Sequence, residues 1–331
     1  MPETPRIKHI DPHVHCRDWG ESAKSTIREV MQLAKSQGIV AIIDMPNTKP
    51  PITTAALVER RLLTAKDEGC LGGYYLFIGA TSDPRQLIEA SQVATSNPKV
   101  VGIKMYAGRS VGDLAVIGEA EQRRAFQALA DAGYKGVLAV HCEKEGLARP
   151  ELWIPGQPDT WNLAKPPEME VEAVRDQIRF ARETGFQGHL HICHISTPEA
   201  VKLVDGARGH MNISCGVTPH HLTLSTQDMQ TAEGIKLKVN PPLRDRKAVS
   251  ELMKLLETGK IDWIETDHAP HTKEEKTYDP GKPKDFFMSG IRSLEGYAEF
   301  LQGLTHQGFT DRQIEELTYS NIKRVFTKIT E

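Results

Sequence analysis

Several features that mark large classes of protein are missing from this sequence. Its five cysteines, Cys16, Cys70, Cys142, Cys193 and Cys215, are odd in number and include no CxxC pair. A disulfide framework is therefore not expected, and a reducing cytoplasm is the default location. No apolar run reaches membrane-spanning length. Positive charge is not in excess, since 41 Lys and Arg stand against 44 Asp and Glu for a formal net charge of −3. Neither nucleic acid nor an anionic membrane is invited by such a balance. The opening residues, Met1-Pro2-Glu3-Thr4-Pro5-Arg6, lack the apolar stretch of a signal peptide. No repeat, low-complexity tract or linker divides the 331 residues, so one unit over 1–331 is expected.

What the chain does have is a steady alternation of strand and helix signals. Val40 to Met45 is nearly continuous in apolar residues, the pattern of a parallel strand covered on both faces. Eight such stretches end near His15, Met45, Gly79, Tyr106, His141, His194, Cys215 and Thr266. Helical stretches are read at 22–36, 57–68, 83–94, 119–132, 168–184, 197–206 and 244–258, with further helices near 290–304 and 311–319. This order predicts an α/β protein with a (β/α)8 barrel and C-terminal helices. An open doubly wound sheet shares the alternation. The two differ in where polar residues fall, because a barrel aims the C-terminal ends of several strands at one mouth. Long loops at 142–167 and 267–289 exceed an ordinary connection and read as working surface.

The strand ends carry an unusual set of side chains. His13 and His15 sit two residues apart, which on a strand puts both on one face. His141, His194 and Asp267 end strands five, six and eight, and Lys104 interrupts an apolar fourth strand. Imidazole and carboxylate donors suit zinc or a similar divalent ion. Lys104 is not a metal ligand as an ammonium, but as a carbamate it would bridge two ions; Asp113 is a rival bridging carboxylate. His194 has the opposite parity to His189 and His191, so it must lie at or past its strand end. His189 and His191 read as packing or supporting groups. His220 and His221 either line the pocket or bind a backbone carbonyl. Cys16, Cys142 and Cys193 are expected to face the layer between strands and helices.

These residues resemble the amidohydrolase superfamily and, within it, the dihydroorotase family. The likeness rests on Asp11 to Arg17, Met45 to Thr48, Gly102 to Tyr106, His141 to Glu143, His191 to Ser196, Thr218 to Leu222, Val239 to Arg244 and Thr266 to His271, in one order along the chain. The segment Met288-Ser289-Gly290 departs from the family's commoner Pro-Phe-Gly. Many members of the family also carry a small β-sandwich made from both chain ends; here strand one starts almost at the N-terminus and the chain stops at Glu331, so a barrel without an appreciable β-sandwich is expected. The resemblance implies two divalent ions, most simply Zn2+: His13 and His15 on the more buried one, His141 and His194 on the other. A carboxylated Lys104 would bridge them, and Asp267 would be both ligand and general base and acid. Arg17, Asn47 and His271 would hold a substrate carboxylate, while Asn240 and the backbone near Leu222, Ser289 and Gly290 meet the ring's amide edge. The implied reaction is the reversible opening of dihydroorotate to N-carbamoyl-L-aspartate in pyrimidine synthesis, with a hydroxide held between the ions as nucleophile. The implied partners are these small molecules, with a homodimer and association with aspartate transcarbamoylase as open assemblies. The alternatives are an allantoinase or a dihydropyrimidinase or hydantoinase-like enzyme, and an inactive scaffold homologue.

Overall fold

Eight parallel strands form the centre of the computed structural model, which describes residues 7–109, 114–231 and 233–330. They are β1 (His9–Val14), β2 (Ile39–Asp44), β3 (Tyr74–Gly79), β4 (Val100–Ala107), β5 (Val137–Cys142), β6 (His189–Ile192), β7 (Ile213–Val217) and β8 (Trp263–Ile264), paired in chain order. The ring closes between its ends. Val14 bridges His268 in parallel, and His15 N donates to His268 O at 2.9 Å. The barrel reading therefore holds over the open sheet.

Two apolar layers account for this shape. The outer one packs Val14, Ile42, Leu76, Ile78, Ile103, Met105, Leu138, Val140 and Ile192 against helix residues such as Val30, Val58, Leu87 and Phe126. The inner one gathers Ile10, Ile43, Phe77, Val101, Ala139, Cys193 and Trp263, with Ile322, Phe326 and Ile329 from the chain's last segment. The inner layer is a packed core, and polar groups begin above it.

Local chemistry sets the boundaries. The first helix starts at Ile27, later than the expected 22, because Thr26 and Glu29 form a capping box. The seventh strand starts at Ile213 and the eighth keeps only two residues. A later helix begins at Tyr297, after Gly296 at φ 84°. The segment expected at 311–319 continues through a π-turn, Glu316–Ser320, to Val325. Arg61, on the helix Ala55–Asp67, reaches the end of β2, where Nη2 lies 2.7 Å from Asp44 Oδ2. Tyr74 Oη donates to the same oxygen at 2.6 Å, and Cys16 N donates to Oδ1 at 2.9 Å. Asp44 thus pins the turn after β1, where His15 and Arg17 lie. No helix among the described residues is long and apolar enough to cross a membrane.

Candidate metal centre

Irregularities in the strands bring the donors together. On β1, Asp11 pairs with Ile42 and Val14 with Asp44, so one extra residue bulges between them. The Asp11 carboxylate fills the bulge, accepting from His13 N, Thr266 N and Thr266 Oγ1 at 3.2, 3.1 and 2.5 Å. Burial pushes Asp11 up to about 7 despite these bonds. On β4 the register slips at Val101, which lies between the partners of Leu76 and Phe77. Val101 and Lys104 consequently both belong to the interior.

Among the described residues, five that are not glycine have positive φ: Arg17 at 57°, Asp18 at 66°, Trp19 at 50°, His194 at 36° and Asp267 at 47°. All follow β1, β6 or β8. Such strain persists only where the surroundings over-determine it, and it clusters at functional sites.

His15 Nδ1 lies 2.8 Å from Asn47 Oδ1, so Nδ1 carries the proton. Its Nε2 then faces Asp267 Oδ1 at 2.9 Å, with His13 Nε2 at 3.4 Å from the same oxygen. An imidazole lone pair and a carboxylate oxygen at that distance require a proton or a cation between them. The donor atoms of His13, His15 and Asp267 all lie within 4.8 Å of one another. On the other side, His141 Nε2 donates to Glu143 Oε2 at 2.9 Å, which leaves Nδ1 facing His194 Nε2 at 3.2 Å. His194 Nδ1 is buried without a hydrogen-bond partner. The His13 and His194 rings are 4.9 Å apart, so the two pairs adjoin. This nitrogen and oxygen set fits divalent zinc.

Charge follows the same geometry. Burial would raise Asp267, but the His15 hydrogen bond and the charges of His13 and His15 hold it well below the ordinary carboxylate range. Burial, with His13, His141 and Lys104 nearby, pushes His194 well below an ordinary histidine. Both shifts favour the unprotonated, ligating forms.

Lys104 is wholly buried, with Nζ 2.9 Å from Cys193 Sγ. The inward placement of Cys193 corrects the expectation that it faces the helices. It shares the parity of His191, and the left-handed turn at His194 comes only after it. Cys16 and Cys142 do lie in the outer layer. Asp113 lies outside the described residues.

The anion-binding candidates also meet. Arg17 Nη2 is 3.0 Å from His271 Nε2, and Arg17 Nε donates to Pro270 O at 3.1 Å. Arg17 Nη1 is buried without a partner. Arg17, Asn47, Asn240, Asp267 and Ser289 line one small cavity with His13, His15, His141 and His194. Leu222 and Gly290 are not among its lining residues. Leu222 N donates to Thr218 O and Gly290 N to Lys238 O. Gly290 has to be glycine there, since a Cβ would lie 2.5 Å from Ala269 O. His221 binds Pro241 O at 3.0 Å, as one of its two readings anticipated. His268 accepts from Leu294 N at 3.1 Å.

Two groups escaped the sequence reading. Glu143, the partner of His141 Nε2, also binds Lys165 Nζ at 2.6 Å. Glu265 accepts from His191, Trp263 and the His194 backbone. Its position two residues before Asp267, in phase with it on an extended strand, was the available signal.

No family model matches the sequence. Curated relatives named dihydroorotase include one from Brevibacillus brevis, 35% identical over 81% of this chain and 61% of that protein. Others come from Halobacterium salinarum, 31% identical over 96% and 71%, and Methanosphaera stadtmanae, 30% identical over 96% and 70%. The matches thus leave three to four tenths of these relatives' own length outside the alignment. Among solved structures, an L-hydantoinase (dihydropyrimidinase) from Arthrobacter aurescens superposes with a TM-score of 0.84, 26% identity and coverage of 97% of this chain and 71% of that one. A Campylobacter jejuni dihydroorotase at 17% identity, covering 98% and 84%, has a TM-score of 0.70 and supports the shared fold.

Proposed function

This chain belongs to the dihydroorotase family, and we propose that it interconverts dihydroorotate and N-carbamoyl-L-aspartate by opening and closing the cyclic amide. The observation that carries the choice of substrate is Arg17. A buried guanidinium lines the cavity beside the metal donors, with Nη1 unpartnered. Such a planar fork suits a carboxylate, and a hydantoin ring offers it none.

In this reading, His13, His15 and Asp267 would hold one of two divalent ions, most simply Zn2+. His141 and His194 would hold the other, and Lys104, once carboxylated, would add an oxygen donor. Divalent ions supply Lewis acidity toward the amide carbonyl and toward the attacking water. Arg17, Asn47 and His271 bind the ring carboxylate. Asn240, Ser289 and the backbone near Leu222 and Gly290 set the amide edge. Asp267, held anionic at neutral pH, takes the water's proton at its carboxylate and returns it to the departing ring nitrogen. In the cyclising direction the same carboxylate takes that proton back. We further read residues 1–331 as one catalytic unit working in the cytoplasm on these small molecules.

The test is a paired assay. Zinc-loaded protein is expected to hydrolyse dihydroorotate and to cyclise N-carbamoyl-L-aspartate, with little turnover of an uncharged hydantoin. Equal turnover of the hydantoin would overturn the carboxylate assignment. No turnover of either ring, with two equivalents of metal bound, would favour the scaffold reading.

A further inference from the structure

One carboxylate lies under both histidine pairs. Glu265 is 1% exposed, just past β8. Its Oε1 accepts the backbone N–H of His194 at 2.6 Å and lies 3.5 Å from His13 Nδ1. Its Oε2 accepts from His191 Nε2 at 3.0 Å and Trp263 Nε1 at 2.9 Å. His191 is itself oriented by Ser214 Oγ, 3.1 Å from Nδ1. Space for the carboxylate comes from β7, where a Cβ on Gly216 would fall 2.5 Å from it.

These contacts reach each donor pair once. His13 belongs to the set with His15 and Asp267, and His194 faces His141. His194 at φ 36° holds a backbone that a non-glycine residue keeps only with support. The bond from its N–H to Glu265 supplies that support. His13 Nδ1 has no hydrogen-bond partner of ordinary geometry. A carboxylate behind it favours a proton on Nδ1 and leaves Nε2 free toward the cavity, the relation by which a second group orients a histidine ligand. All four neighbouring groups can present hydrogens to the carboxylate, and a carboxamide accepts on one side only.

We propose that Glu265 is a positioning residue for the metal centre, holding His13 and His194 in the register that lets both donor pairs face one cavity. This rests on the metal-centre reading above and adds a residue that acts through the ligands.

The experiment measures zinc affinity by chelator competition, together with the cobalt absorption spectrum, on the parent, Glu265→Gln and Gly216→Ala. Glu265→Gln is expected to bind zinc about 10- to 100-fold more weakly, with shifted cobalt d–d bands and an unchanged far-ultraviolet circular dichroism spectrum. Gly216→Ala crowds the carboxylate without removing its charge and is expected to weaken zinc in the same direction. Parent protein that binds no zinc would overturn the metal-centre reading itself. A parent that binds zinc, beside a folded Glu265→Gln with equal affinity and the same cobalt spectrum, would overturn only the role of Glu265. Should Glu265→Gln fail to fold, Gly216→Ala decides by the same measurement, and parental affinity there would overturn the proposal. A sulfur-to-cobalt charge-transfer band in the parent would place the ion against Cys193, in the His13, Cys193 and Glu265 set, and would overturn it as well.

Discussion

Arg17 shows how much one side chain decides here. It sits at φ 57° in the turn after β1, wholly enclosed, with Nε on Pro270 O and Nη2 beside His271. None of these contacts neutralises it at close range, so the guanidinium keeps its charge for an anion in the cavity. Arg17→Met preserves the aliphatic stem and removes the fork. Losing a charge-assisted hydrogen bond of roughly 2 kcal/mol predicts a fall of about 30-fold in kcat/KM for dihydroorotate. Zinc content is expected to stay at the parental level. If zinc left with the activity, Arg17 would belong to the scaffold of the metal site instead of the substrate receptor. At this scale the site was largely legible. His13, His15, His141, His194 and Asp267 are ligand-type residues at strand ends, and a barrel converts strand ends into neighbours. Cys193 was expected in the outer layer and Glu265 was given no role, because the left-handed turns at His194 and Asp267, just after each of them, obscure the strand parity that Cys193 shares with His191 and Glu265 with Asp267. Residue alternation alone does not contain those turns.

Whole elements were legible where packing repeats and were misjudged where a single contact ends them. All eight strands end within two residues of their expected limits; β8 is the shortest, stopping at Ile264 because the chain turns off there to make the seam with β1. The turn after β6 illustrates such a contact. Glu170, in the first turn of the helix Pro167–Glu183, accepts Ser196 N at 2.8 Å and also binds Thr197 Oγ1. It thereby ties a helix to the turn that carries His194. Burial raises Glu170 to about 7, while Arg244 and the hydrogen bonds from Thr197 and Ser196 oppose the rise. The sign follows from linkage. The folded value lies above the ordinary 4.5, so the native state holds more protons between the two. The contribution is fully present below about pH 4.5 and is lost as pH rises through 7. Glu170→Gln removes the titration and keeps an acceptor. The stability of Glu170→Gln relative to the parent is therefore expected to rise between pH 5 and pH 8, read from urea midpoints at each pH. A flat difference across that range would mean that Glu170 is ionised throughout.

At the scale of the whole molecule, the barrel has a seam, and the candidate metal site lies across it. Among the described residues, β1 through β8 pair in an unbroken ladder, but the last strand meets the first through little backbone structure. The bridge of Val14 to His268, the bond from His15 N to His268 O, and the Asp11 bonds to Thr266 make the closure. His13 and His15 stand on one side of this seam and Asp267 on the other. An ion bound by all three joins the two edges directly, so it stabilises closure as well as chemistry. Zinc at 100 times its dissociation constant is expected to add about 2.7 kcal/mol to the unfolding free energy. Chelation reverses that gain, and His13→Ala is expected to show almost none of it. The location of the effect is the sharper measurement. Amide exchange on chelation should accelerate most in residues 9–15 and 263–268, and least in β4 and β5 on the far side of the ring, where the ladder is continuous. A uniform acceleration would mean that the ion stabilises the fold globally, without bridging the seam.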